Sequence, residues 1–327
     1  MTNLVSFPGL GLEFTLNRVA FTVLGRPIYW YGVIIGCGFL LAVVLCSRWA
    51  PRYGVTPDQI MDLLLFAVPA ALVGLRTYYV VFYLDLYRRA DGSLDWGAIF
   101  RFTDGGLAIY GGIIACAVTL LIFCRVRKLS FLAFADLGVQ GLLIGQLIGR
   151  WGNFMNVEAY GGVTGLPWRM CSESIANELW HKGLLDSQEA YQAILDGTLG
   201  VHPTFFYESA WNLLGLTGIY LLGRYARKFD GELFLSYFLW YGLGRFWIEG
   251  LRTDSLYFFG LELFGAPVRV SQVLALATAA AAGGVLAWQL RKKHDPEQLF
   301  VNRLAAQRQE ENQGGEPPAE EGPECRQ

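Results

Sequence analysis

The chain has 327 residues, 54% hydrophobic and 15% aromatic, with only 17% charged and a formal net charge of −2. Soluble globular proteins carry roughly a quarter charged residues, so this composition, with several apolar runs of about 20 residues, indicates a polytopic membrane protein. The near-neutral balance excludes a global basic field of the kind that recruits nucleic acid.

Taken in order, residues 1–28 read as a pre-membrane segment of short-strand or interfacial-helix character. No basic start followed by an apolar core marks a signal peptide there, so insertion is expected from internal helices. Apolar runs then predict seven spans, at about 29–47, 60–84, 107–124, 131–148, 205–222, 233–251 and 270–290. Asp58 is placed to cap the second, Asp104 the third, and Pro203 stands at a first-turn position of the fifth. Residues 29–156 hold spans one to four, 157–201 a polar insertion, and 202–294 the last three spans. Residues 295–327 are rich in Glu, Gln, Pro and Gly, a composition that buries no core, and are expected to be a disordered tail.

Basic clusters follow every odd-numbered span: Arg48 and Arg52, then Arg125, Arg127 and Lys128, then Arg224, Arg227 and Lys228, then Arg291, Lys292 and Lys293. The positive-inside rule places those exits in the cytoplasm, with the N-terminus outside and the C-terminus inside. The insertion 157–201 and the end of span four then face outward. The expected fold is an all-α polytopic membrane protein of about seven transmembrane helices with a periplasmic insertion between spans four and five.

The densest polar block is Gly149-Arg150-Trp151-Gly152-Asn153-Phe154-Met155-Asn156-Val157-Glu158, closed by Gly161 and Gly162. Charged and amide side chains at a bilayer boundary are costly unless a partner or ligand satisfies them. A guanidinium beside amides and backbone N–H groups suits a phosphate. An arginine snorkelling from a helix end accounts for Arg150 alone, but not for the whole block. Tyr241, Arg245, Glu249 and Arg252 recur at spacings of four, four and three, on one helix face. They read either as a structural ion pair between helices or as part of an anion site.

Arg76, inside an apolar run, is expected to face the bundle interior. His202 serves as a cap or a proton acceptor, with Tyr207 and Glu208 following it in the helix. Tyr31 and Tyr110 add polar groups to spans one and three. The six cysteines show no CxxC pair or metal spacing, and no cofactor motif is present. Neither a metal nor an organic cofactor is therefore expected.

The block GRWGNFMNVEAYGG resembles the signature of the bacterial prolipoprotein diacylglyceryl transferase family, G-R-x-G-N-F-x-N-x-E followed closely by glycine. Further blocks are similar in family order: WYG at 30–32, Arg76, DGGLAIYGG at 104–112, HPTFFYE at 202–208 and YGLGRFWIE at 241–249. The resemblance implies transfer of the sn-1,2-diacylglyceryl group of phosphatidylglycerol to the lipobox cysteine thiol of a prolipoprotein. Glycerol phosphate leaves, and the reaction runs on the outer side of the bacterial inner membrane. By the resemblance, Arg150 takes the phosphatidylglycerol headgroup and Arg245 the phosphate or leaving group. Tyr31, Asn153 and Gly161 match positions the family requires, and Glu158, Tyr241 and Glu249 match positions that orient the arginines. Arg76 and His202 complete the substrate-binding set. Where some members carry histidine, this chain has Tyr110, so a general-base role for that histidine does not carry over. Tyr110 is read as positioning the headgroup or thiol. The competing readings are an anionic-lipid transporter that moves lipid without splitting it, and a structural scaffold.

Overall fold

The computed structural model describes residues 2–89, 91–101, 105–252, 257–263 and 266–313. It falls into two units: Met1–Cys46 with Asp136–Lys293, and Ser47–Ala135 with His294–Gln327.

The first unit opens with two hairpins, giving the pre-membrane segment its strand character. Strands β1 (Thr2–Phe7) and β2 (Leu12–Asn17) pair antiparallel from Thr2↔Asn17 to Phe7↔Leu12, and β3 (Val19–Val23) pairs with β4 (Arg26–Tyr29). The first turn needs Gly11, whose φ of 65° is a left-handed conformation that a side chain disfavours. Val5, Phe7 and Leu16 point from the first hairpin into a core with Phe154, Met170, Ile175, Leu179, Val201 and Phe205. β4 runs straight into helix α1 (Trp30–Trp49).

In the second unit, α2 (Pro57–Phe82) begins at a capping box between Thr56 and Gln59. Asp58 therefore does not cap it; it sits in the first turn, where a negative charge favours the helix dipole. A one-turn helix α3 (Trp96–Ile99) precedes α4 (Ile109–Val126). Asp104, expected to cap that span, lies outside the described residues. α2 and α4 cross closely: a Cβ on Gly74 would come within 2.6 Å of the Ala115 methyl.

Helix α5 (Phe131–Asn156) is longer than expected. The predicted stop at Ile148 is corrected, because Arg150, Asn153 and Asn156 lie on the helix itself. The glycines weaken this helix end without breaking it, while Phe154, 8% exposed, anchors it in the core. The stop comes at Val157 and Ala159, whose φ values of 54° and 57° leave the helical region.

The insertion holds β5 (Val163–Thr164), α6 (Glu173–His181), α7 (Gln188–Leu195) and β6 (Gly200–Val201), with β5 and β6 paired. Two antiparallel helices follow, α8 (Thr204–Tyr225) and α9 (Glu232–Glu249). Pro203 is the residue just before α8, not within its first turn. The start of α9 is capped from α5: the Asp136 carboxylate accepts the N–H groups of Gly231 and Phe234, both at 2.8 Å. Strands β7 (Tyr257–Leu263) and β8 (Ala266–Arg269) lead into α10 (Val270–Leu290), which packs on α9 where Gly242 meets Ala275 and Ala279.

In the second unit, part of the expected tail is helical, α11 (Phe300–Gln313). Phe300 is buried there, with its ring against Gly54. Leu304 packs beside it against the same glycine, so two apolar side chains anchor an otherwise polar helix. Residues 314–327 lie outside the described residues.

The architecture is thus mostly helical, with small two-stranded hairpins added to the expected helices. Five of the described helices are long and apolar enough to cross a membrane: α1, with the turn that follows it, α2, α4, α5 and α10. α8 and α9 have comparable length, but they carry Glu208, Asn212, Arg245 and Glu249. Those polar groups dilute the hydropathy that otherwise marks a span.

Candidate functional site

Glu208, in the second turn of α8, is the centre of the polar cluster in the first unit. Its side chain is 8% exposed and forms an ion pair with the Arg150 guanidinium. Arg252 Nη1 approaches the other carboxylate oxygen at 3.5 Å, and Arg245 Nη1 stands 3.9 Å from the first. Arg245 also pairs with Glu249, one turn further along α9, at 2.6 Å. Helical spacing of four brings that second pair together without help from the tertiary fold. The Glu208 contacts are different: they require α5, α8 and the end of α9 to converge.

Arg150 extends the network along its own helix. Its Nη1 donates to Asn153 Oδ1 at 3.5 Å, and Asn153 Nδ2 donates to Glu158 Oε1 at 2.9 Å. Asn156 Nδ2 donates to the same Glu158 oxygen at 3.2 Å. Glu158 lies just beyond the helix, carried back toward it by the left-handed residues on either side. A cavity of about 20 Å³, room for about one water, is lined by Gln146, Arg150, Glu208, Trp211, Asn212, Tyr241, Gly244, Arg245 and Ile248. Tyr241 thus lines the same cavity as Arg150 and Arg245.

Gly161 acts through its backbone. Its N–H donates to the His202 carbonyl at 2.9 Å, Gly162 N–H donates to the Leu251 carbonyl at 2.7 Å, and Gly161 bridges to Arg252. A Cβ on Gly161 would lie 2.8 Å from both His202 Cβ and the Leu251 oxygen. Only glycine lets these three chain segments approach so closely, and the approach sets where Arg252 leaves α9. The His202 ring lies outside the ion cluster, with Nδ1 3.3 Å from the Tyr207 hydroxyl, and burial lowers its pKa. The Tyr207 hydroxyl also accepts the Trp168 indole N–H at 2.6 Å.

Tyr31 packs its ring against Gly152, where a Cβ would meet Cδ2 at 2.9 Å. It lines a larger cavity of about 600 Å³ with Arg18, Pro27, Ile28, Tyr29, Gly32 and Asn156. Arg18 Nη2 donates to the Asn156 carbonyl at 2.7 Å, which ties the first hairpins to the end of α5. Asn156 thus reaches Glu158 with its side chain and lines the larger cavity as well.

Two sequence-predicted residues belong to the second unit. Tyr110, in the first turn of α4, is 55% exposed, its ring 6.1 Å from that of Tyr78. Arg76 is buried and faces inward as expected. Its guanidinium donates to the carbonyls of Ala98, Ile99, Arg101, Gly105 and Gly106 at 2.6–3.1 Å. All five N–H groups of the fork are matched to backbone acceptors. The arrangement makes Arg76 the organiser of the backbone at residues 98–101 and 105–106.

The residues that sequence reasoning left out of the site are Glu208, Gln146, Asn212 and Trp211. Glu208 carried a usable signal, an ionisable group within an apolar helix. Gln146 and Asn212 had only helical spacing to recommend them.

A model of the prolipoprotein diacylglyceryl transferase family matches residues 18–288. The chain is 43% identical over 246 residues to the phosphatidylglycerol–prolipoprotein diacylglyceryl transferase of Oceanobacillus iheyensis, covering 75% of this chain and 80% of the relative. It is 44% identical over 252 residues to the protein of that name from Lysinibacillus sphaericus, covering 76% and 85%. Against that from Enterococcus faecalis it is 40% identical over 289 residues, covering 88% and 95%.

Proposed function

The chain belongs to the prolipoprotein diacylglyceryl transferase family, and from that premise we propose which of its residues carry the transfer. It moves the diacylglyceryl group of phosphatidylglycerol onto a prolipoprotein. The acceptor is the lipobox cysteine. Its thiol, of ordinary pKa near 8.5, loses a proton, because the thiolate is the nucleophile. The sulfur attacks the glyceryl carbon, a C–S bond forms, the C–O bond to phosphate breaks, and glycerol phosphate leaves with the electron pair.

Negative charge therefore accumulates on the leaving phosphate, and preorganised guanidiniums are the groups that stabilise it. The observation that carries this reading is the convergence of Arg150, Arg245 and Arg252 on the single carboxylate of Glu208. One carboxylate gathers the three guanidiniums, and Glu249 holds Arg245 as well. Arg150 takes the headgroup and Arg245 the departing phosphate. Asn153 and Glu158 orient Arg150, and Glu249 with Tyr241 orients Arg245. The cavity beside Tyr31 has the size of a small-ligand site and accommodates the glyceryl portion of the lipid. Gly161 and His202 set the backbone that carries Arg252. By the family resemblance, Tyr110 positions headgroup or thiol and Arg76 belongs to the substrate-binding set.

The same reading takes α8 and α9 as spans, making seven. The polar faces of those two helices are turned toward the site and not toward lipid. Basic residues after the odd-numbered spans place the C-terminus in the cytoplasm and the 157–201 insertion outside, on the periplasmic side of the inner membrane.

The test is a mass shift. Purified protein in phosphatidylglycerol micelles is mixed with a lipobox peptide, beside a folded Arg150→Ala control. Gain of one diacylglyceryl unit, lost in the control, is expected. Unmodified peptide from folded, lipid-binding protein would replace this reading with a carrier.

A further inference from the structure

Helices α8 and α9 carry the same short pattern, Trp211-Asn-Leu-Leu-Gly215 and Trp240-Tyr-Gly-Leu-Gly244. A spacing of four puts each tryptophan and its glycine on one helix face. The two indoles stack with centroids 4.2 Å apart and planes 15° from parallel. Trp211 Nε1 donates to the Trp240 carbonyl at 3.0 Å, and Trp240 Nε1 donates to the Trp211 carbonyl at 3.0 Å. Each ring also occupies the space beside the other helix's glycine. A Cβ on Gly215 would lie 2.5 Å from Trp240 Cδ1, and one on Gly244 would lie 2.8 Å from Trp211 Cε2. The contact is reciprocal in every part: ring on ring, N–H to carbonyl, and ring in glycine slot.

This clasp sits beside the ion cluster. Glu208 stands one turn before Trp211, and Arg245 follows Gly244 directly. Trp211 and Gly244 line the same small cavity as Arg150, Glu208 and Arg245. We propose that Trp211 and Trp240, with Gly215 and Gly244, are positioning residues for diacylglyceryl transfer: they set the register of α8 against α9 that holds Arg245 opposite Glu208. The proposal rests on the transferase reading above.

Distance decides why such a device is needed. Arg245 Nη1 lies 3.9 Å from the Glu208 carboxylate and Arg252 Nη1 lies 3.5 Å from it. A slip of a single residue, about 1.5 Å along a helix, takes the first contact out of ion-pair range. Apolar attraction between helices is non-directional and by itself favours no single register. Two opposed N–H···O bonds resist it strongly, because a slip in either direction stretches both and moves each ring off its glycine.

The experiment measures kcat and KM for a lipobox peptide in phosphatidylglycerol micelles, using the full chain with thermal unfolding as the fold control. Gly244→Ala is expected to lower kcat by about tenfold or more, with KM for the peptide within about twofold. Trp211→Leu, added to Gly244→Ala, should recover part of that loss, and Trp240→Leu should do the same for Gly215→Ala. The crossed pairs, Gly244→Ala with Trp240→Leu and Gly215→Ala with Trp211→Leu, should recover nothing. If the alanine variants fail to fold, Trp211→Phe and Trp240→Phe keep an aromatic ring and remove the N–H. Each is then expected to lower kcat by about threefold or more at unchanged KM. Wild-type kcat in a folded Gly244→Ala, equal rescue by crossed and matched pairs, or unchanged kcat in both phenylalanine variants would overturn the clasp. Absence of product from the wild type would overturn the transferase reading beneath it, whereas normal transfer that Arg150→Ala abolishes confines any failure to the clasp.

Discussion

The carboxylate of Glu208 on α8 pairs with the guanidinium of Arg150 on α5, and both side chains are largely withdrawn from solvent. Neither residue lies near the other in sequence, so the pair exists only because the two helices meet. It joins the signature block to Arg245 on α9 and to Arg252 just beyond that helix.

Glu208→Gln keeps the shape and removes the charge. Truncating one partner of a buried ion pair leaves the other uncompensated, at roughly 3–5 kcal/mol. A lower unfolding midpoint in micelles and a kcat lowered by about tenfold or more are expected in the mass-shift assay. Transfer within about twofold of wild type at unchanged stability would remove Glu208 from the site.

Gly161 and Gly162 provide a paired comparison. A Cβ on Gly161 meets His202 and Leu251 at 2.8 Å, whereas one on Gly162 has its nearest neighbour at 3.8 Å. Gly161→Ala should displace the strand-like pairing that holds Arg252 and lower turnover by about a hundredfold, the scale of a 1 Å misplacement. Gly162→Ala should retain most activity. The same assay on both variants decides it, and equal effects would refute a steric origin.

Arg76→Lys replaces a planar fork of five donors with a point charge of three. Hydrogen bonds from a charged donor contribute roughly 1.5–3 kcal/mol each, so the backbone at residues 98–101 and 105–106 should open more readily. Limited proteolysis and hydrogen exchange at residues 96–101 and 105–108 are expected to show faster cutting and weaker protection. Unchanged protection would mean that the carbonyl contacts do not hold this backbone.

Burial lowers the His202 pKa, so the folded protein favours the neutral ring. Above the unfolded value of about 6.5, both states are neutral and the residue adds no pH dependence. As pH falls below that value, the unfolded chain takes up the proton first, and stability is lost until pH passes the lower folded pKa. Unfolding midpoints measured from pH 7 to pH 5 should fall, and His202→Gln should flatten that part of the curve. An identical slope in the variant would assign the dependence to other groups.

Much of the helical framework was legible in the chain. Runs near 20 apolar residues predicted helices whose observed limits mostly differ by a few residues, and α10 begins and ends where expected. The misses have local causes. α5 continued through Gly149 and Gly152 because Phe154 is held in the core. The hairpins at the start were ambiguous because short strands depend on their partners more than on intrinsic propensity.

Of the site, the sequence by itself determined the ingredients: the Arg150–Asn153–Glu158 block, the Arg245–Glu249 pair and the glycines at 161 and 162. Helical spacing of three or four joins Arg150 to Asn153 and Arg245 to Glu249 wherever the helix lies, and the remaining groups follow the helix end within a few residues. Tertiary structure alone decided that Glu208 gathers Arg150, Arg245 and Arg252, that Gly161 joins His202 to Leu251 and Arg252, and that Trp211 and Trp240 interlock. These contacts link residues tens of positions apart or on separate helices. Their existence depends on interhelical register, which hydrophobic periodicity leaves undetermined and which side-chain packing and directional hydrogen bonds select.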